Sequence, residues 1–297
     1  MTAGRIVDIA DAAVSLNVQD RQLKVRLGGE SVGSTPLAEL AALVISNPAV
    51  LMTQAVISGL AECGGIVVIC DRSHMPAAMM LPVQAHVTQT ERFAAQAHMS
   101  LPFRNRLWQQ LVRAKINAQA RLLRDLHGED GGLSAMVPRV RSGDAGFLEA
   151  RAAQIYWPRL FADPLFRRGR EGPDQNTHLN YGYAVLRALV ARAVCGAGLH
   201  PSLGLRHHNR YDPFCLANDL MEPFRPLVDR AVYGWVQEHD PAAPLDKAAK
   251  AWLIQPMSAS YAWAGEIRSL FDLVAVTCSS LARALDAPRT ALEIAEV

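Results

Sequence analysis

No Cys-x-x-Cys pair occurs in the 297 residues, and the five cysteines (Cys63, Cys70, Cys195, Cys215, Cys278) are odd in number and mostly set in apolar runs. That speaks against a zinc site or a disulfide framework and for reduced core thiols. Apolar stretches are broken by charge, glycine or proline before they reach the roughly 18 residues of a membrane span. No basic-then-apolar leader opens the chain. We therefore expect a soluble, cytoplasmic protein with no membrane partner. The glycine pairs Gly28–Gly29, Gly64–Gly65 and Gly131–Gly132 are not followed by Gly-Lys-Ser/Thr, so neither a P-loop ATPase nor a dinucleotide fingerprint has support. Lysine is scarce as well, with 4 Lys against 26 Arg.

Hydrophobic residues make up 50% of the chain, charged residues 20%, and the 17 prolines are scattered. This composition suits a sizeable core in one large domain or two smaller ones, not a disordered chain. The net charge of +2 hides an uneven distribution. Residues 91–125 carry seven Lys/Arg against two acids, and residues 138–170 carry seven Arg against three, whereas the first 90 carry five basics against seven acids. The planar fork of arginine fits phosphate, so stripes of this kind suit a nucleic-acid backbone; they also suit helices that merely need solvating.

The first 80 residues read as short strands. Arg5–Ile9, Val14–Val18 and Gln22–Leu27 are separated by Asp11–Ala13 and Gln19–Asp20, and Gly28–Gly29 ends the third. Leu43–Ser46 is a fourth candidate. Thr53 is placed to cap a helix over Gln54–Glu62, stopped by Gly64–Gly65. Ile66–Cys70 has the length of a buried strand, and Ala77–Leu81 is a last one before Pro82. From about Thr90 helical periodicity takes over: Leu101–Leu126 with a basic face of Arg106, Arg113 and Arg121, Phe147–Trp157 stopped by Pro158, Leu179–Val194, Asp212–Pro213 opening a helix through Val228, and Gly265–Leu285. The expected class is α+β: a β-rich domain over 1–81, a linker over 82–92 and an all-α domain over 93–297.

Three short segments carry candidate chemistry. Glu149 lies in Phe147-Leu148-Glu149-Ala150-Arg151-Ala152-Ala153, with Ala152 and Ala153 leaving its side of the helix uncrowded. Alone it also reads as an ordinary exposed glutamate. His207 and His208 lie in a polar loop between two helices, where functional side chains often project, and adjacent histidines point in different directions. Asp219 and Glu222, three apart, share a helix face; the same stretch also reads as a surface ladder of Glu222, Arg225 and Asp229. One imidazole and two carboxylates suit Mg²⁺ or Mn²⁺.

The string Gly-Leu-Arg-His-His-Asn-Arg-Tyr-Asp-Pro-Phe-Cys-Leu-Ala-Asn-Asp-Leu-Met-Glu-Pro-Phe-Arg-Pro-Leu-Val-Asp, residues 204–229, resembles the signature of the CRISPR-associated adaptation integrase family. So do Leu-Glu-Ala-Arg-Ala-Ala-Gln-Ile-Tyr-Trp, 148–157, and Leu-Asn-Tyr-Gly-Tyr-Ala-Val-Leu, 179–186, in matching order and spacing. The wording of the last part of the long string is nearest to the type II systems. Many relatives carry Asp where Glu222 stands, and often Asp where Asn180 stands.

The resemblance implies a metal held by the catalytic residues Glu149, His207 and Glu222, with Asp219 and His208 beside it in uncertain roles. It implies transesterification: the 3′-hydroxyl of a captured DNA fragment attacks a phosphodiester at the edge of a CRISPR repeat. Water as the attacking group gives endonuclease activity. The expected partners are double-stranded DNA, a second copy of the chain held through the N-terminal domains, the small "Cas-two" adaptation protein and the type II effector nuclease. Arg106, Arg113, Arg121 and Arg151 are candidate phosphate contacts. Two other readings use the same residues: a stand-alone metal nuclease or branched-DNA resolvase, and a non-catalytic DNA-binding scaffold.

Overall fold

The computed structural model describes residues 5–10, 12–72, 75–82, 86, 88–169, 172, 174–286 and 291–297. Asp11 of the first expected break, residues 83–85 and 87 of the expected linker, and Arg170 lie outside these.

The chain opens with β1 (Arg5–Ile9), β2 (Ser15–Gln19), β3 (Gln22–Leu27), β4 (Glu30–Pro36), β5 (Leu40–Ile45), β6 (Leu51–Met52), helix α1 (Gln54–Glu62), β7 (Ile66–Cys70) and β8 (Pro76–Met80). Two four-stranded sheets result, in the orders β1-β5-β7-β8 and β4-β3-β2-β6. In the first, β5 is parallel to both β1 and β7, while β8 returns antiparallel. Asp20 and Arg21, both at positive φ, turn β2 into β3, and Gly28–Gly29 (φ +60 and +93) turn β3 into β4. A two-residue turn with positive φ at both positions matches the twist of a hairpin, so the glycine pair extends the sheet where the sequence reading let it end.

Every residue of β5 is buried because both faces of its sheet are covered. Leu43 and Val67 alternate into an N-terminal core with Leu16, Leu23, Val56 and Leu60. Ala42, Val44, Ile66 and Val68 alternate into the large helical core on the other side.

The helical part comprises α2 (Gln89–Ala97), α3 (Leu101–His127), α4 (Leu148–Leu160), α5 (Asn176–Gly196), α6 (Cys215–Met221), α7 (Arg225–Glu238) and α8 (Lys247–Ile254); a hairpin of β9 (Ser260–Trp263) and β10 (Glu266–Ser269) then leads into α9 (Leu270–Asp286). Strands followed by helices make the fold α+β. Helix α5 is buried along most of its length and lies against the first sheet as well as α6, α7 and α9. Helix α3 packs on α4, α7 and the short 3-10 turn Glu222–Phe224. That packing brings distant segments to the middle of α3.

Several helix boundaries differ from the sequence reading, and α5 begins at Asn176 and ends at Gly196, beyond the expected Leu179–Val194 at both ends. Helix α4 runs through Pro158 to Leu160 before breaking off, because the missing proline N–H is felt only in its last turn. The stretch from Asp212 is split, α6 giving way to a 3-10 turn at Pro223 before α7 begins at Arg225. Gly265 does not begin a helix: Ala264 and Gly265, both at positive φ, form the β9–β10 turn, and the Ser269 hydroxyl accepts the Asp272 N–H at 3.1 Å to start α9.

Candidate active site

Glu149 sits in the first turn of α4. Its position is set by Asp144, a buried carboxylate in the preceding turn, which accepts the N–H groups of Leu148 (2.9 Å) and Glu149 (3.0 Å). Two otherwise unpartnered helix donors are thereby satisfied, and the chain enters α4 through Phe147 at φ 52. Sequence reasoning missed Asp144; the signal was an acid four and five residues ahead of the first helical positions.

Glu222 stands at the junction of α6 and α7 and is 2% exposed. Its Oε1 meets Arg225 at 2.9 Å and its Oε2 lies 2.6 Å from Lys115 Nζ. The same ammonium donates to Glu149 Oε1 at 2.7 Å. Two carboxylates 73 positions apart in the chain therefore converge on one nitrogen from the centre of α3. Burial pushes the Glu222 pKa up, but Arg225 and Lys115 outweigh it and hold the group below the usual carboxylate value. Burial pulls Lys115 down, but Glu222 and Glu149 outweigh that and keep it above the usual lysine value. Of the ladder of Glu222, Arg225 and Asp229, the Glu222–Arg225 rung forms, but at a buried carboxylate and not on the surface. Asp229 is buried, receives the hydroxyls of Tyr156 (2.7 Å) and Tyr183, and has its pKa raised to about 6 by burial.

Asp219 is completely buried and organises the loop that carries His207. Its Oδ2 accepts the N–H of Leu205 (2.6 Å) and Arg206 (3.0 Å), and its Oδ1 accepts the His207 N–H (3.2 Å) and contacts His207 Nδ1 (2.6 Å). A carboxylate accepts only, so Nδ1 carries the proton and Nε2 is left as the ring's lone-pair nitrogen. The hydrogen bond to Asp219 raises the His207 pKa above its ordinary value. The loop closes so tightly that a Cβ at Gly204 would stand 2.9 Å from Cys215 Cβ and 3.0 Å from Asp219 Oδ2. His207 packs edge-on against Trp108 of α3, at 6.0 Å between ring centroids. His208 turns outward and meets Arg104 across 3.3 Å.

The donor set, two carboxylates and one imidazole with a fixed tautomer, fits a divalent cation such as Mg²⁺ or Mn²⁺. As they stand, the carboxylates are closed on Lys115, and among the described residues no three His, Cys, Asp or Glu side chains are closed on one point.

A cleft of about 840 Å³ opens beside His207, lined by Arg168, Arg187, Arg225, Asn180, Tyr183 and His208 among others. Asn180 accepts from Arg168 at 2.6 Å. The arginines singled out in the sequence lie elsewhere. Arg106 and Arg151 are exposed, Arg106 over the Phe103 ring. Arg113 donates to the Val140 carbonyl at 2.9 Å, and Arg121 pairs with Glu296 at 2.8 Å. None of the four lines the cleft.

The sequence model of CRISPR associated protein Cas1 matches residues 9–243. The chain is 38% identical over 245 residues to a CRISPR-associated endonuclease Cas1 of Neisseria meningitidis serogroup C (strain 8013), covering 82% of this chain and 79% of that protein. Among solved structures, a casposase bound to integration product superimposes with a TM-score of 0.76 at 20% identity, over 97% of this chain and 92% of that one. A CAS1 protein from Thermotoga maritima, TM1797, gives 0.74 at 15% identity over 99% of both chains. A Cas6-RT-Cas1–Cas2 complex gives 0.72 at 20% identity, over 96% of this chain and 35% of that one. At these identities the structural matches speak for the fold.

Proposed function

The chain belongs to the CRISPR associated protein Cas1 family of endonucleases and integrases, and from that premise we propose that it is a divalent-metal-dependent DNA integrase of CRISPR adaptation. The observation that carries the proposal is the convergence of Glu149 and Glu222 on one point, beside His207 held by Asp219. Carboxylates from two separate segments need not meet in a scaffold that only binds DNA.

In this reading Glu149, Glu222 and His207 Nε2 hold Mg²⁺ or Mn²⁺. The cation supplies charge neutralisation for the phosphoryl and leaving oxygens and eases deprotonation of the attacking hydroxyl. The rest is done by the chain. Asp219 fixes the ring that presents Nε2. Arg225 holds Glu222 from behind and stacks over the Tyr183 ring at 4.7 Å. Arg168, Arg187 and Arg225 give the cleft a positive wall for a phosphate backbone without reading bases. The 3′-hydroxyl of the incoming fragment attacks a repeat phosphodiester; the new P–O bond forms as the old one breaks, and the proton lost by the nucleophile is balanced by the one the departing 3′-oxygen takes up. One phosphodiester replaces another, so no nucleotide is consumed. With water attacking, the same site is an endonuclease.

The partners we propose are double-stranded DNA, a second copy of the chain and Cas2, which accompanies Cas1 in the complex named above; the type II effector nuclease is a further one. The test is strand transfer of a labelled 3′-end into a repeat-bearing plasmid, with Cas2 and Mn²⁺. Joined product supports the integrase. Cleavage of branched DNA with no joining points to a resolvase.

A further inference from the structure

Lys115 is one of 4 lysines in the chain and is 9% exposed. A lysine is rarely that deep without partners. Both of its partners are the carboxylates proposed above as ligands, at 2.7 Å and 2.6 Å. An ammonium at those distances and a divalent cation between the same oxygens repel each other strongly, so the two exclude one another.

We propose that Lys115 is a positioning residue that couples metal loading to DNA binding: its ammonium holds Glu149 and Glu222 in register, and gives way to the cation when a DNA phosphate in the adjoining cleft offers it another partner. The inference rests on the metal-site reading above.

Three features support the exchange. Neither residue is placed by Lys115 alone: Arg225 binds Glu222 Oε1 at 2.9 Å, and Asp144 anchors the backbone of the first turn that carries Glu149. Glu222 Oε2 meets the ammonium at 2.6 Å, an ion pair in which another cation can take the place of Lys115. Lysine is a point charge on a flexible four-carbon stem, which lets it move where an arginine fork would stay. The cleft that would bring the phosphate is lined by His207 and by Arg225, which binds Glu222. By linkage, a DNA phosphate that draws the ammonium away raises metal affinity, and metal raises DNA affinity by the same factor.

The test is Mn²⁺ affinity of the full chain, read by the electron paramagnetic resonance of free Mn²⁺, with and without a short duplex whose 3′-ends are dideoxy, a DNA-only blank being subtracted. For the wild type, DNA should tighten Mn²⁺ binding about tenfold or more. Lys115→Met should bind Mn²⁺ about tenfold more tightly than wild type without DNA, and DNA should then add less than about threefold. Lys115→Arg, which keeps the charge but not the mobility, should bind Mn²⁺ no better than wild type and lose most of the DNA-dependent tightening. A Lys115→Met protein that binds Mn²⁺ no better than wild type, or keeps the DNA dependence, overturns the inference and leaves the metal site standing. A wild type that binds no Mn²⁺ in either state overturns the metal-site reading itself. Should Lys115→Met unfold without metal, recovery of its circular dichroism on adding Mn²⁺ supports the exchange, and failure to recover overturns it.

Discussion

Asp219 holds His207 twice, accepting its backbone N–H at 3.2 Å and meeting its ring Nδ1 at 2.6 Å, from a position that is completely buried. One carboxylate thus shapes the loop and sets the tautomer of the ring. Replacing Asp219 with Ala leaves the N–H groups of Leu205, Arg206 and His207 without their acceptor. We expect a loss of about 3 kcal/mol or more in stability, with strand transfer down roughly 10–100-fold. His207→Ala should abolish transfer at nearly unchanged melting temperature, since its ring is 45% exposed. Melting curves and transfer assays on the same preparations check this; an Asp219→Ala protein as stable as wild type contradicts it.

Asp144→Ala should cost about 1–2 kcal/mol through loss of the helix start. It should also lower the transfer rate, because the first turn of α4 that positions Glu149 is loosened. Chemical denaturation beside single-turnover kinetics measures both. Asp144→Asn keeps one acceptor and turns an NH2 toward the other N–H, so it should recover only part of the stability.

Asp229 gives a pH signature. Its pKa is raised from 3.8 to about 6 in the folded chain, so the folded state binds the proton more tightly than the unfolded one. The stability it contributes is full below pH 3.8 and is lost as pH rises through about 6. Relative to Asp229→Asn, the wild type should lose on the order of 1–3 kcal/mol across that window. Urea denaturation of both proteins at pH 4 and pH 7 tests it; parallel pH dependences would show that the buried carboxylate does not titrate there.

DNA affinity should follow the cleft. Arg187→Ala should weaken binding about equally for any sequence and reduce the salt slope by about 1. Arg113→Ala should act mainly on stability, through its lost bond to the Val140 carbonyl. Binding isotherms at several salt concentrations separate the two. A full salt slope in Arg187→Ala and a reduced one in Arg113→Ala would reverse the assignment.

Much of the fold was legible because each element obeys a local rule. Arg5–Ile9, Gln54–Glu62 and Ile66–Cys70 lie where strand composition, a helix start and an apolar run place them. Among the missed strands, Glu30–Pro36 is exposed for much of its length and has a glycine within it, so no burial pattern marks it, Leu51–Met52 is two residues long, and the hairpin of Ser260–Trp263 and Glu266–Ser269 interrupts the stretch expected to be all-α. For the site, the strings around Glu149, His207 and Glu222 named the donors, but their spacing along the chain carries no distance. Lys115 stayed hidden because a lysine in a helix normally points to water; only the packing of α3 against α4 and the Glu222 turn buries it. Of the cleft arginines, Arg168 lies in the basic stripe 138–170, but two were hidden in plain text: Arg225 falls within residues 204–229 and Arg187 directly follows residue 186, yet charge counting favoured the denser stripes, where Arg113 and Arg121 serve the fold.

The most direct measurement of the central claim is strand transfer of a fluorescent 3′-end into a repeat plasmid, with Cas2 and Mn²⁺, by Glu149→Gln, His207→Ala and Glu222→Gln. The amide replacements keep the shape of the two carboxylates beside Lys115 and remove their charge. Without divalent metal all three variants should bind DNA like the wild type, and in Mn²⁺ none should form joined product. A Glu149→Gln protein that joins ends at the wild-type rate would contradict the assignment, and so would an active His207→Ala beside an inactive His208→Ala.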